Sequence, residues 1–249
     1  MFIIKNCLGN LNIIDSSGSV SWVILLSIDI EEDKKLMSLN DQPTFWSSLI
    51  FWIKSRLLIV RRGLVNLCNP VIRQKLSKIN DLDHQDLGLV FVAQSITPLW
   101  TEKKTAEQVL QLGKVENLRL ACQKLHRLYI PAGHIFSFWR QVGRLSRRRG
   151  YVAGRELRQG CIIPTIGGGI CQLSNALYDT ALKAGCHIIE RHAHSQIIPG
   201  SLAEQGRDAT VFWNYIDLRF CQPTSDLYIE CQLTKDMLRV CFYQRTWKK

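Results

Sequence analysis

The stretch TIGGGICQLSNALYDTALKAG, residues 165–185, decides how the chain is read. Three consecutive glycines form a turn that leads straight into helical periodicity, and Gly185 stands where a left-handed residue closes a helix. At about 100° per residue, Leu173, Ala176, Leu177, Thr180, Ala181 and Ala184 fall on one face, the stripe a helix buries. Cys171 falls on the opposite face, with Ser174, Asn175 and Tyr178, although Leu182 lies there too.

Downstream, residues 187–198 and 209–220 read as strands, and the period of two puts Glu190, His192, His194 and Gln196 on one face. LYIECQL (227–233) and MLRVCFY (237–243), joined by Thr234-Lys235-Asp236, read as a hairpin. Upstream, 103–128 is helical, with Leu118, Ala121, Cys122 and Leu125 at core spacing and a break expected at Gly113. Pro131-Ala-Gly133 ends that helix, and HIFSFW (134–139) reads as a strand. The sum is an α+β fold, a mixed, mainly antiparallel sheet packed with a few helices.

The segment ahead of this domain has a different character. Trp46, Leu49, Ile50, Ile53 and Leu57 recur at helical spacing, while Lys54, Arg56, Arg61 and Arg62 add positive charge. Such a helix suits an anionic membrane surface, or simply packs on the main domain. Residues 1–36 are weakly patterned and close on Asp29, Glu31, Glu32 and Asp33. They form an N-terminal extension, or remain untranslated if synthesis starts at Met37. The expected organisation is therefore 1–36, an uncertain extension; 37–92, a basic amphipathic helical segment; and 93–249, the α+β domain.

Composition agrees with a folded protein: of 249 residues 46% are hydrophobic and 21% charged, which excludes disordered and fibrous classes. No stretch has the length and apolarity of a membrane span, and the N-terminus lacks the basic start and small-residue site of a signal peptide. The expected location is the cytoplasm or the inner face of the membrane. Nine cysteines, an odd number, argue for reduced thiols rather than a disulfide framework. The formal charge of +11 makes an anionic partner plausible. Arg140, Arg144, Arg147, Arg148, Arg149, Arg155 and Arg158 face one acid, Glu156, and form either a solvated loop or an anion-binding rim. No aromatic platform or known motif points to nucleic acid.

Cys171 in the first turn of a helix lies near the positive end of the dipole, which favours thiolate. The glycines would admit close approach of a substrate, and the N–H groups of Cys171 and Gln172 would hold an oxyanion. A thiol on a helix followed by histidine on a strand is the chain order of papain-like catalysis, where imidazole takes the thiol proton and a third polar group orients the ring. Asp208, Asn214 and Asp217 are candidates for that third group. Two other readings stand beside it: a tight turn carrying a small buried cysteine, and a zinc site of Cys161 or Cys171 with His192 and His194, for which no standard spacing is present.

Several segments carry a resemblance: NLRLACQKL (117–125), IPAGHIFSFWRQVG (130–143), RGYVAG (149–154), GGGICQLSNALYDTAL (167–182), IIERHAHS (188–195) and GRDATVFWNYIDLRF (206–220). Together they resemble the VanW-like family, over about residues 93–243. The fold this implies is a single VanW-like domain behind an N-terminal helical extension. Many members have no assigned activity, while such domains in some surface proteins look like cysteine L,D-transpeptidases. The resemblance implies Cys171 as nucleophile, His194 as base with His192 as alternative, and Asp208 and Asp217 as the acidic residues of the later motifs. Gly167, Gly168, Gly169, Gln172, Ser174, Asn175, Arg191 and Arg207 are the implied substrate contacts. The implied partner is a peptide or peptidoglycan precursor, with no metal and no cofactor. The alternative is a non-catalytic accessory or binding protein of the cell envelope.

Overall fold

The computed structural model describes residues 2–5, 11–14, 45–68, 76–79, 88–100, 108–158, 161–194, 202–213 and 215–245. The chain divides into two units, Met1–Trp52 and Ile53–Lys249. In the first, β1 (Phe2–Lys5) and β2 (Leu11–Ile14) form an antiparallel hairpin. Helix α1 (Phe45–Cys68) begins in the first unit and ends in the second. Most of 1–36, with Met37 and the expected helical start at Lys103, lies outside the described residues.

The second unit is built on antiparallel pairing. Strands β3 (Leu89–Pro98), β4 (Leu128–Ile130), β10 (Leu227–Leu233) and β11 (Met237–Arg245) form a sheet in the order β3-β11-β10-β4. The expected hairpin is β10–β11, in register from Leu227↔Gln244 to Leu233↔Leu238. Two helices cover this sheet: α2 (Gln108–Leu125) lies on β10, and α4 (Cys171–Lys183) lies on β3 and β11. A second sheet, in the order β5-β9-β8, comprises β5 (Ile135–Ser137), β9 (Arg219–Cys221) and β8 (His187–Glu190). Phe220 of β9 stacks on Phe136, ring centroids 4.6 Å apart, and meets Phe242 of β11 at 5.6 Å, so the two sheets share one core. Leu118, Leu125, Leu173 and Leu177 complete it with no exposed surface, each contributing about 1.5–3 kcal/mol of burial. The expected α+β class holds.

Several boundaries differ from the sequence expectation, each for a local reason. Helix α2 runs unbroken through Gly113, because a Cβ there would stand 2.0 Å from the carbonyl oxygen of Ala153. This glycine serves close packing rather than a break. HIFSFW is strand only as far as Ser137. There Ser137 Oγ accepts from Arg140 N and caps a short helix, α3 (Phe138–Val142). Part of the arginine-rich stretch, expected as a solvated loop or an anion-binding rim, is the strand β6 (Ala153–Arg158), paired with β7 (Cys161–Ile166). Among the described residues six cysteines are free thiols, and no helix is long and apolar enough to cross a membrane.

The part of α1 in the second unit presents a defined exposed face. Ile53, Leu57, Val60, Leu64 and Leu67 are each 45–61% exposed, and at 100° per residue they form a single stripe. Arg56 and Arg61 flank it, while Arg62 and Asn66 turn to the opposite side and join the domain. Arg62 forms a two-pronged ion pair with Glu190 of β8, and Asn66 accepts a hydrogen bond from Arg219.

Candidate functional site

Helix α4 starts at Cys171 because the glycines ahead of it turn the chain sharply. Gly167 and Gly169 have φ of 81° and 92°, values open to glycine at little cost. Gly168 is there for a different reason. A Cβ on it would lie 2.3 Å from the carbonyl oxygen of Gly154, so the turn is pressed against β6. Asn117 of α2, fully buried, pins this contact: it donates to the carbonyls of Val152 (3.1 Å) and Gly168 (3.0 Å) and accepts from Val152 N (3.0 Å). The space around the three glycines is thus taken by Gly154, Leu145 and Lys114 of the same chain.

Beside the first turn of α4 runs the segment 208–211, fixed by polar side chains of that helix. Ser174 Oγ donates to the carbonyl of Ala209 at 2.6 Å, and Ala209 N donates to Asn175 Oδ1 at 2.8 Å. Cys171 Sγ lies 3.9 Å from the carbonyl oxygen of Val211. Burial pushes the Cys171 thiol up to about 11; the Val211 carbonyl opposes this, and the charges of Glu156 and Asp208 add to it. The resting site holds a neutral thiol, contrary to the expectation drawn from the helix terminus. A few partial charges at a helix end do not offset removal of the sulfur from water beside two carboxylates. Nor is the Gln172 amide open, since its N–H donates to Gly169 O at 3.1 Å. The Gln172 side chain reaches β3 instead, donating to Thr97 Oγ1 and Pro98 O.

The histidines do not share a strand face. Strand β8 ends at Glu190, after a register irregularity opposite β9, because the next residues bond to segment 208–210. Thr210 N donates to His192 O at 2.8 Å, and His194 N donates to Asp208 Oδ2 at 2.6 Å. This places His194 Nδ1 2.7 Å from the same carboxylate oxygen, and Arg191 Nη2 donates to the other at 2.6 Å. Asp208, 3% exposed, is therefore held by three donors. Burial works to raise its carboxyl, and His194 and Arg191 outweigh that and hold it below its ordinary value. With Nδ1 against the carboxylate, Nε2 is the other ring nitrogen of His194. His192 is exposed, with Nε2 3.6 Å from Glu190.

The remaining expected residues fall in different places. Arg191 lies over the ring of Tyr178 at 5.2 Å, and Arg207 is paired with the buried Asp179 at 2.7 Å. Asp217 is bonded to neither Cys171 nor His194: it accepts from Ser137 Oγ (2.6 Å), Trp139 N (3.2 Å) and Arg219 Nε (2.8 Å). Among the described residues of 209–220, expected as one strand, only Arg219 and Phe220 belong to a strand, β9, and a Phe212↔Ile216 bridge closes a loop. Asn214 and Gln196 lie outside the described residues, as does the side chain of Cys161. Among the described residues no group of three metal-ligating side chains comes together.

Asn117 and Lys114 escaped the sequence reading. Lys114 Nζ donates to Leu99 O; burial, then the charge of Arg155, lowers it to about 8. Both fall on the buried side of α2, so a polar residue at core spacing was their signal.

An α+β domain with a half-buried thiol at a helix start, and a carboxylate-held histidine bonded to the 208–211 segment that this thiol meets at Val211, is the class that fold and site define. The chain belongs to the VanW-like family: the family described as VanW like protein matches residues 113–243, over half of the 249 residues. Among curated proteins, the Vancomycin B-type resistance protein VanW of Enterococcus faecalis (strain ATCC 700802 / V583) is 33% identical over 135 residues, 52% of this chain and 48% of its own length. Uncharacterized protein YoaR of Bacillus subtilis (strain 168) is 34% identical over 108 residues, 43% of this chain and 35% of its own. The chain thus spans half or less of the curated relatives it matches. No solved structure matches.

Proposed function

We propose that this protein is a cysteine-dependent acyl-transfer enzyme acting on cell-wall-type peptides. The observation that carries the reading is the Asp208–His194 pair, which fixes the ring by Nδ1 beside the segment that packs against Cys171. In the reaction, His194 Nε2 takes the proton from Cys171 as the sulfur attacks a peptide carbonyl. The C–S bond forms, the C–N bond breaks, and the amine leaves with the proton from Nε2. A second amine, or water, then opens the thioester, and the proton returns to sulfur.

Because the resting thiol is neutral, activation comes with substrate, by general-base proton removal rather than from a stored thiolate. Relative to a thiol titrating at 9.0, a value of about 11 leaves roughly 100-fold less thiolate at neutral pH. Iodoacetamide labelling of Cys171 is therefore expected to climb with pH toward about 11 without a plateau near neutrality. Incubated with a peptidoglycan tetrapeptide, the protein should gain an acyl mass on Cys171 that neither Cys171→Ala nor His194→Ala acquires. No such adduct, with the variants still folded by circular dichroism, would sink the proposal.

The apolar stripe of α1, flanked by Arg56 and Arg61, supports a resting place on an anionic membrane surface. Sedimentation with phosphatidylglycerol vesicles should carry the protein down, and Leu57→Glu with Leu64→Glu should leave it in the supernatant. Equal binding by that double variant would rule the helix out as the contact.

A further inference from the structure

A second site has none of Cys171, His194 and Asp208 in its lining. It is a cleft of about 460 Å³ between α1, the stretch from Ser137 to Arg149, and Trp213. Among the described residues five arginines line it, Arg62, Arg140, Arg144, Arg149 and Arg219, against one carboxylate, Asp217. Two of these arginines are fixed in place. Arg62 is gripped by both oxygens of Glu190 and also donates to Tyr215 O at 2.9 Å. Arg219, 4% exposed, is held by Asp217 and Asn66. Arg140, Arg144 and Arg149 complete the arginine lining.

The mouth is shaped for the others. Gly143 has φ of 76°, and a Cβ on it would stand 2.4 Å from Arg149 Nη1, so the missing side chain is what lets that guanidinium lie across the backbone. Trp139 and Trp213 meet edge to face at 5.4 Å and supply an apolar wall. An excess of guanidinium forks in a cleft this size suits a ligand with several oxygens and two or more negative charges. We propose that this cleft is an oxyanion site that takes the phosphate or diphosphate group of a small phosphorylated molecule or lipid headgroup, its uncharged part lying on the tryptophans.

The test uses inorganic pyrophosphate and the full chain, with affinity read by titration calorimetry at physiological salt. Arg144→Gln with Arg149→Gln should weaken binding about tenfold or more. Arg147→Gln with Arg148→Gln removes the same charge from the neighbouring turn, outside the cleft, and should change it less than about twofold. Cys171→Ala should bind like the parent, so failure of the thiol reading would leave this one standing. A parallel arm measures phosphatidylglycerol vesicles with pyrophosphate as competitor. Vesicle binding that the 144/149 pair abolishes, with no affinity for free pyrophosphate, would assign the phosphate to a lipid. Equal losses for both arginine pairs would overturn the site, as would no saturable pyrophosphate binding together with vesicle binding indifferent to the 144/149 pair.

Discussion

Asp208→Asn is expected to lower the rate of acyl transfer to Cys171 by about 10³–10⁴-fold while leaving the domain folded, since the carboxylate works through the ring it holds. In the parent, Asp208 Oδ2 receives both the backbone N–H and Nδ1 of His194. That fixes the proton on Nδ1 and leaves the Nε2 lone pair to accept from the thiol. An amide offers a donor as readily as an acceptor, so the ring is free to present Nε2–H, the wrong form for a base. The same change leaves Arg191 facing a neutral group. Its bonds to the carbonyls of Asp208 and Gly206 keep the loop in place. The measurement is the single-turnover rate of thioester formation from a peptide donor, in the single variant and with His194→Ala added. The two losses should overlap, because the aspartate's main route to the reaction is that imidazole; its charge also raises the Cys171 thiol, and losing that charge favours the thiolate and so cannot add to the loss. Additive losses would mean that Asp208 acts elsewhere.

The second large effect concerns stability. Glu190 is half-buried, which by itself would raise its carboxyl. Contacts with His192 and Arg62 and the charges of Arg62 and Arg219 outweigh that and hold it at about 2, against an ordinary 4.5. A carboxyl whose folded value is depressed adds stability fully present above the ordinary value and lost as pH falls toward the folded one. The contribution, on the order of 3 kcal/mol, should therefore be complete above pH 5 and decline between about 4.5 and 2. Glu190→Gln should remove a comparable amount at pH 7, since Arg62 and Arg219 then lose charge compensation. It should also flatten the acid limb of the stability curve. Urea unfolding from pH 2 to 7 reads both, and a variant whose curve stays parallel to the parent would show that Glu190 is not the group responsible. The same residue anchors α1 to β8 through Arg62, so the variant also reports how firmly that helix is held.

Much of this arrangement was legible in the chain, and the part that was not has a common cause. The buried stripe of α4 and the β10–β11 hairpin follow from short-range periodicity, and both stand where spacing puts them. Gly185, with φ of 67°, closes α4 as its position implied. Alternation failed at Glu190, where the backbone groups of His192 and His194 leave the sheet for Asp208 and Thr210, partners 14 or more residues away in sequence. Gly113 misled for the same reason, since Ala153 sits 40 residues downstream of it and nothing local announces its approach. The neutral state of Cys171 could not be read from a helix start, because the opposing carboxylates, Glu156 and Asp208, arrive from β6 and from the loop ahead of Phe212. The arginine cluster was visible as composition. Its convergence with Arg62 and Arg219 was not, because it requires α1 and β9 to meet.

Strand β11, the last element of the domain, lies between β3 and β10 rather than at an edge. A nascent chain still lacking Met237–Arg245 therefore carries β3 without β11, the strand it pairs with, its ladder groups open and Phe242 missing from the aromatic stack that joins the sheets. Synthesis runs from β3 to β11 before either can reward the other, so this sheet is completed late. During that interval β3, with Val90, Phe91 and Ile96 along it, is an adhesive ribbon that a holding chaperone would have reason to cover.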